Sequence, residues 1–176
     1  GAPFLVRPAD PVDAQLRQNV RRVMQGDSAP RLVPSDVSMD IPAYLPDDYV
    51  VAQEAKLDIY RRLSRVESHA AIEEIRAELR DRFGPLPEPA HAMLAAVQLR
   101  LAGGALGVEG ILVRGDEARI TFRADAVPRM KGLSRAFDEV QSRAEVRRAH
   151  PLALKLTRLG GAPILDGLVR ALGSLV

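Results

Sequence analysis

The chain has 176 residues, 47% of them hydrophobic and 27% charged, which suits one sizeable core with an appendage. Its 25 basic residues stand against 23 acidic ones, so the net charge of +2 argues against the concentrated positive field of a dedicated nucleic-acid binder. The absence of cysteine excludes disulfides, thiolate metal sites and thiol catalysis, and the absence of tryptophan, with aromatics at 4%, makes stacking platforms for single strands unexpected. No apolar run approaches the roughly 18 residues of a membrane span, and the lack of cysteine fits a reducing compartment. Gly1 stands where a Met would begin a complete chain, so a fragment of a longer protein is expected.

Residues 1–10 hold two prolines and no periodicity. From Asp10-Pro11 the spacing of Leu16, Val20, Val23 and Met24 predicts a short helix ended by Gly26. Residues 27–36 (DSAPRLVPSD) are polar and proline-bearing and read as a linker. The division expected is therefore an extension over 1–36 and a domain over 37–176. Val37 to Ile41 alternates as a half-buried strand does, and 43–49 reads as a loop with enough apolar mass to pack. A helix over about 50–66 is expected to present Leu57, Tyr60 and Leu63 to the core, with Arg61, Arg62 and Arg65 largely outside. Ser68 then caps a second helix that runs to Phe83 on an apolar face of Ile72, Ile75, Leu79 and Phe83. Pro89 suits the first turn of a third helix, burying Ala90, Leu94, Val97 and Leu101 until a break at Gly103-Gly104. Residues 110–114 and 118–122 flank a Gly115-Asp116 turn as a hairpin. A helix near 127–138 carries Val127, Met130, Leu133 and Phe137, a second strand pair spans 145–149 and 152–157, and a last helix follows Pro163. Helices first and short strands after, without a strict βαβ rhythm, predict an α+β fold with antiparallel strand pairs and a C-terminal helix. The core expected comprises Leu57, Leu63, Ile75, Leu79, Phe83, Leu94, Val97, Ile120 and Phe122.

No catalytic, cofactor-binding or metal-ligating set emerges. There is no phosphate-cradling G-x-x-x-x-G-K-[ST], and Gly104, Gly107 and Gly110 follow a helix where a dinucleotide site would need a strand. His69, His91 and His150 are scattered without metal-type spacing. Asp47-Asp48, after a proline, reads as a turn or cap rather than an acid pair, and Arg114-Gly115-Asp116 as a hairpin turn.

The second helix carries a more pointed pattern. At about 100° per residue, with Glu74 at 0°, Glu78 falls near 40° and Asp81 near −20°, while Ile75, Leu79, Ile72 and Phe83 fall between about 100° and 180°. The three carboxylates thus form one stripe roughly opposite the core face. Glu78 and Arg82 are four apart in the favourable order and soften it. Such a stripe is either a solvated helix face or a docking surface for a basic partner, and composition does not separate the two. Being solvent-facing, all three acids are expected to be replaceable at little cost to folding.

The stretches IPAYLPDDYV, KLDIYRRLSRVES and IEEIRAELRDRFGPLPEPA resemble the C-terminal domain of bacterial transcription-repair coupling factor, over about 37–176 and most closely from Ile41 to Ala102. The resemblance implies a regulatory, non-enzymatic module without cofactor or metal, in the cytoplasm of a bacterium. The parent protein of that family is an ATP-driven DNA translocase that acts on stalled RNA polymerase and recruits the excision-repair protein UvrA. Its C-terminal domain clamps the N-terminal UvrA-binding module of the same protein, through acids in the ELxD block. Carried over by position, these are Glu78 and Asp81, with Glu74 at the margin. The alternative is an auxiliary module touching the DNA backbone through Arg61, Arg62, Arg65, Arg76, Arg80 and Arg82, and a hydrolase using Asp47, Asp48 or Glu78 comes a distant third.

Overall fold

A computed structural model describes residues 33–176, so the helix expected over 10–26 and most of the linker lie outside the described residues. Alternation in the strand-forming segments produces five strands: β1 (Asp36–Met39), β2 (Val108–Arg114), β3 (Glu117–Phe122), β4 (Ser142–Arg148) and β5 (Ala153–Arg158). They form one sheet in the order β1-β2-β3-β5-β4, with β1 parallel to β2 and every other pair antiparallel. Register aligns Val37, Ile111, Ile120 and Leu154 in a single row, all buried, because the period of two sends every second side chain to the covered face. The opposite face carries Arg119, Lys155 and Glu145 in a matching row, with Lys155 3.3 Å from Glu117.

Three helices, α1 (Gln53–Ser64), α2 (His69–Phe83) and α3 (Glu88–Ala105), make the crossover from β1 to β2. They are followed by α4 (Met130–Glu139) between β3 and β4 and α5 (Ile164–Gly173) at the C-terminus. Helix α3 is the hub: it packs against α2, α5, β1 and β2, and is apolar nearly all round, as a buried helix must be. The architecture is the expected α+β arrangement, with β1 added in parallel at one edge.

Five expectations are corrected in detail. Leu57 is 49% exposed, and α1 instead buries Lys56, Ile59 and Leu63, spaced three and four apart. The Lys56 stem lies in the core while its amine reaches Asp47, so a core position was disguised as a polar one. Phe83 is half-buried at the end of α2 rather than fully enclosed. Val127 and Met130 are exposed, and α4 begins only at Met130. Gly103-Gly104 does not break α3, which continues to Ala105 with both glycines buried. A Cβ on Gly103 would meet Ser35 Oγ at 2.3 Å, and one on Gly104 would meet the Val33 carbonyl at 2.7 Å. The glycines are where residues 33–35 cross the helix. Ser35, inside the stretch read as linker, is fully buried: its amide donates to Arg100 O (3.1 Å) and its hydroxyl to Val108 O (2.7 Å).

Candidate functional site: the acidic face of helix α2

Helix α2 starts where Ser68 Oγ accepts from the Ala71 amide (3.2 Å), closing one of the unsatisfied donors of the first turn. It ends at Gly84, whose φ of +89° is favourable only for glycine and whose amide donates to Arg80 O (3.0 Å). Ile72, Ile75 and Leu79 are buried, which fixes the rotation of the helix about its axis. Tyr49 secures the far end. Its hydroxyl lies 2.8 Å from Gly84 O and 3.1 Å from Leu79 O, and its ring packs on Phe83 with centroids 5.8 Å apart. Burial pushes the Tyr49 phenol up, so it stays a donor to those helix-end carbonyls.

On the outward side the three acids are not equivalent. Glu78 is gripped by Arg62 of α1 in a two-pronged contact, NH1 donating to Oε2 (2.8 Å) and NH2 to Oε1 (2.9 Å). Arg82, one turn along, donates to the same Oε2 at 3.1 Å. The Arg62 guanidinium, with Arg82 added, holds the Glu78 carboxyl below the usual carboxylate range, a lowering that burial partly offsets. Three of about four acceptor positions on the carboxylate are thereby occupied. The expectation that Glu78 is free of structural duty is corrected: sequence spacing revealed Arg82, but Arg62, sixteen residues away, becomes a partner only through the packing of α1 on α2.

Asp81 and Glu74 are exposed, and neither has a hydrogen-bond or ion-pair partner among the described residues. Asp81 lies one helical turn from Glu78 on the same face, and Glu74 one turn before it. Neighbouring Glu73 is engaged instead, with Arg76 and with Gln98 of α3, both at 3.3 Å. The stripe is thus a rigidly mounted carboxylate pair, Glu74 and Asp81, flanking a third acid already neutralised by two arginines.

The other titratable candidates are dispersed. Asp47 pairs with Lys56 and is held below the usual range by that contact, while Asp48 is exposed on the same turn, so the two do not form an acid pair. His91 lies 2.7 Å from Asp166 across α3 and α5. Among the described residues no group of three His, Cys, Asp or Glu is placed to hold a metal ion, and no helix is long and apolar enough to cross a membrane.

Comparison with known proteins adds what geometry leaves open. The TRCF domain family matches residues 39–133, a span that includes the whole of the acidic face. The transcription-repair-coupling factor of Haemophilus influenzae is 37% identical over 92 residues, covering 52% of this chain and 8% of that protein. That of Myxococcus xanthus is 31% identical over 123 residues, covering 68% of this chain and 10% of its own length. The chain thus spans about a tenth or less of the curated relatives it matches. A crystal structure of the C-terminal domain of transcription-repair coupling factor superposes with a TM-score of 0.69 at 22% identity, covering 81% of this chain and 92% of that one, which establishes a shared fold. With more than half its length matched, the chain belongs to the TRCF domain family.

Proposed function

We propose that the chain is the C-terminal regulatory domain of a transcription-repair coupling factor acting in transcription-coupled repair, and that the α2 acidic face docks on a basic surface of the N-terminal UvrA-binding module of the same parent protein. The observation that carries this reading is Asp81: exposed, unpaired among the described residues, and mounted on a helix whose rotation is fixed by three buried side chains. An arginine on the partner can engage such a carboxylate bidentately without displacing any existing contact. Glu74 offers a second, weaker point of attachment. Glu78 has one acceptor position left, and offers more only if the partner displaces Arg82, whose single bond is the longest of the three.

Closed, the docked face would cover the surface that UvrA needs, and engagement of stalled RNA polymerase by the parent would favour the open state. The decisive test is UvrA binding to the intact parent with and without Asp81→Ala. Loss of docking shifts population from closed to open, and UvrA affinity rises several-fold. Equal affinities with both proteins folded would reduce the stripe to a solvated helix face.

The DNA-backbone alternative is weakened by pairing. Of the six arginines that suggested it, Arg62 and Arg82 are committed to Glu78, and Arg76 to Glu73 and Gln98. Only Arg61, Arg65 and Arg80 remain for phosphates, and duplex binding that survives moderate salt would be needed to restore it.

A further inference from the structure

At the other end of α2, about 18 Å along the helix axis from Asp81, lies a cavity of about 340 Å³ between the α1–α2 connection and the last turns of α3. Its walls are aliphatic where Leu63, Val66, Val97 and Leu101 line it. Arg100 also lines it. That arginine is only 6% exposed, and its Nε is buried with no hydrogen-bond partner among the described residues. Among the described residues no ion pair is formed with its guanidinium, and Asp36 acts on it only through its charge. Burial pushes the guanidinium down from its ordinary value, yet an arginine does not give up its proton in a protein. A guanidinium largely buried with no anion beside it is unfavourably placed, and at the wall of a cavity it suits an anionic ligand.

Two further features of the wall have the same sign, against one of opposite sign, the Glu67 carboxylate. Arg65 lines the cavity, and so do Ser68 and His69, the capping residue and first residue of α2, whose amino-terminal end is positive. An apolar chamber of this size with a few convergent polar groups has the character of a small-molecule site. We propose that this cavity binds a carboxylate carried on a short aliphatic body, the anion meeting Arg100 and the aliphatic part filling the space between Leu63, Val97 and Leu101. The acid is either a free small carboxylate or an acidic side chain beside a leucine in a peptide. Both present the same chemistry, and the site is separate from the docking face of α2.

The test uses the full 176-residue chain and follows the methyl resonances of Leu63, Val97 and Leu101 by NMR. One arm titrates hexanoate against hexanamide, which differ in charge and hardly in shape. The other titrates acetyl-Leu-Glu-amide against acetyl-Leu-Gln-amide. The acid of at least one pair is expected to bind ten-fold or more tightly than its amide, and the arm with the tighter acid identifies the source. Arg100→Met, which keeps an apolar stem of similar length, is expected to remove the preference while leaving the weak apolar binding. Equal binding of acid and amide to the unsubstituted protein would overturn the proposal without reference to any variant. So would the absence of methyl shifts in both arms, since the cavity would then not admit such a ligand.

Discussion

Replacing Glu78 by Ala is the perturbation that best separates the structural role of the acidic face from the docking proposed for it. The substitution removes three charge-assisted hydrogen bonds, two to Arg62 and one to Arg82. The Glu78 side chain is 32% exposed and Arg62 is 39% exposed, so water screens much of the attraction. An exposed ion pair contributes about 0–1 kcal/mol, and two-pronged geometry places this one at the upper end. Alanine returns a few tenths of a kcal/mol in helix propensity. The net expectation is a loss of about 0.5–1 kcal/mol, or roughly 1–4 °C in melting temperature for a domain of this size. Asp81→Ala, which breaks no contact, should stay within about 0.5 kcal/mol.

A double-mutant cycle between Glu78→Ala and Arg62→Ala, read by urea unfolding, should give a coupling of about 0.5–1.5 kcal/mol at neutral pH. Its pH dependence has a definite sign. The folded carboxyl holds its proton less tightly than the unfolded one, whose ordinary value is 4.5, so the coupling is fully present above that value. It should fade as pH falls through the lowered folded value, when Glu78 takes up a proton and Arg62 keeps only the looser contact to Asp58 at 3.6 Å. A coupling below about 0.3 kcal/mol at pH 7, or one unchanged at low pH, would refute the reasoning.

Other substitutions test the packing. Leu79→Ala should cost about 2–5 kcal/mol through a cavity at a fully buried site, whereas Leu57→Ala should cost about 0.5 kcal/mol or less, and equal losses in thermal unfolding would contradict the revised core. Gly104→Ala should destabilise by about 1–3 kcal/mol, because its Cβ would press on the Val33 backbone and not on a side chain that can turn away; an unchanged urea midpoint would contradict that close approach. Limited proteolysis should spare the bonds around Ser35, which is buried and bonded to two elements; a first cut between 35 and 40 would show that these residues are not held.

The sequence shows most clearly what depends on spacing alone. Period two marked β2 and β3, and period 3.6 marked α2, because each has its apolar residues on one face and polar ones on the other. Where a side chain has two characters the reading failed. Lys56 counts as polar by its head, yet its stem is core, and this displaced the expected face of α1 onto Leu57. Glycine pairs are ambiguous in the same way: Gly103-Gly104 has the composition of a helix stop but serves close packing by residues 33–35. The acidic stripe was legible as a direction in space, since Glu74, Glu78 and Asp81 share a face. The unequal commitments of its members were not, because Arg62 meets Glu78 only after two helices have packed. Arg100 did not stand out, although the apolar run around it marks α3 as buried nearly all round; that its side chain lines a cavity depends on how α1, α2 and α3 pack.

The two blocks that carry the family resemblance, LPDDY and ELRDRFG, touch one another in the folded domain. Asp47 holds Lys56 on α1, and Tyr49 closes the end of α2 through the carbonyls of Leu79 and Gly84 and the ring of Phe83. Most of these residues thus fix where α2 ends and how it is rotated, which is reason enough for their pairing in sequence. Among the acids of its block Asp81 is the exception. It contributes no contact to the fold, yet the structure around it determines where its carboxylate points. Tyr49→Phe tests whether that mounting matters. Removing the hydroxyl leaves the ring on Phe83 and costs about 1 kcal/mol of stability, a typical net value for one hydrogen bond. If docking depends on a preorganised helix end, Tyr49→Phe should also weaken association with the N-terminal module, although Tyr49 itself is only partly accessible. Calorimetry of that association, on folded variants, would show unchanged affinity if Asp81 acts only as a local charge, and a several-fold loss if its mounting is part of recognition.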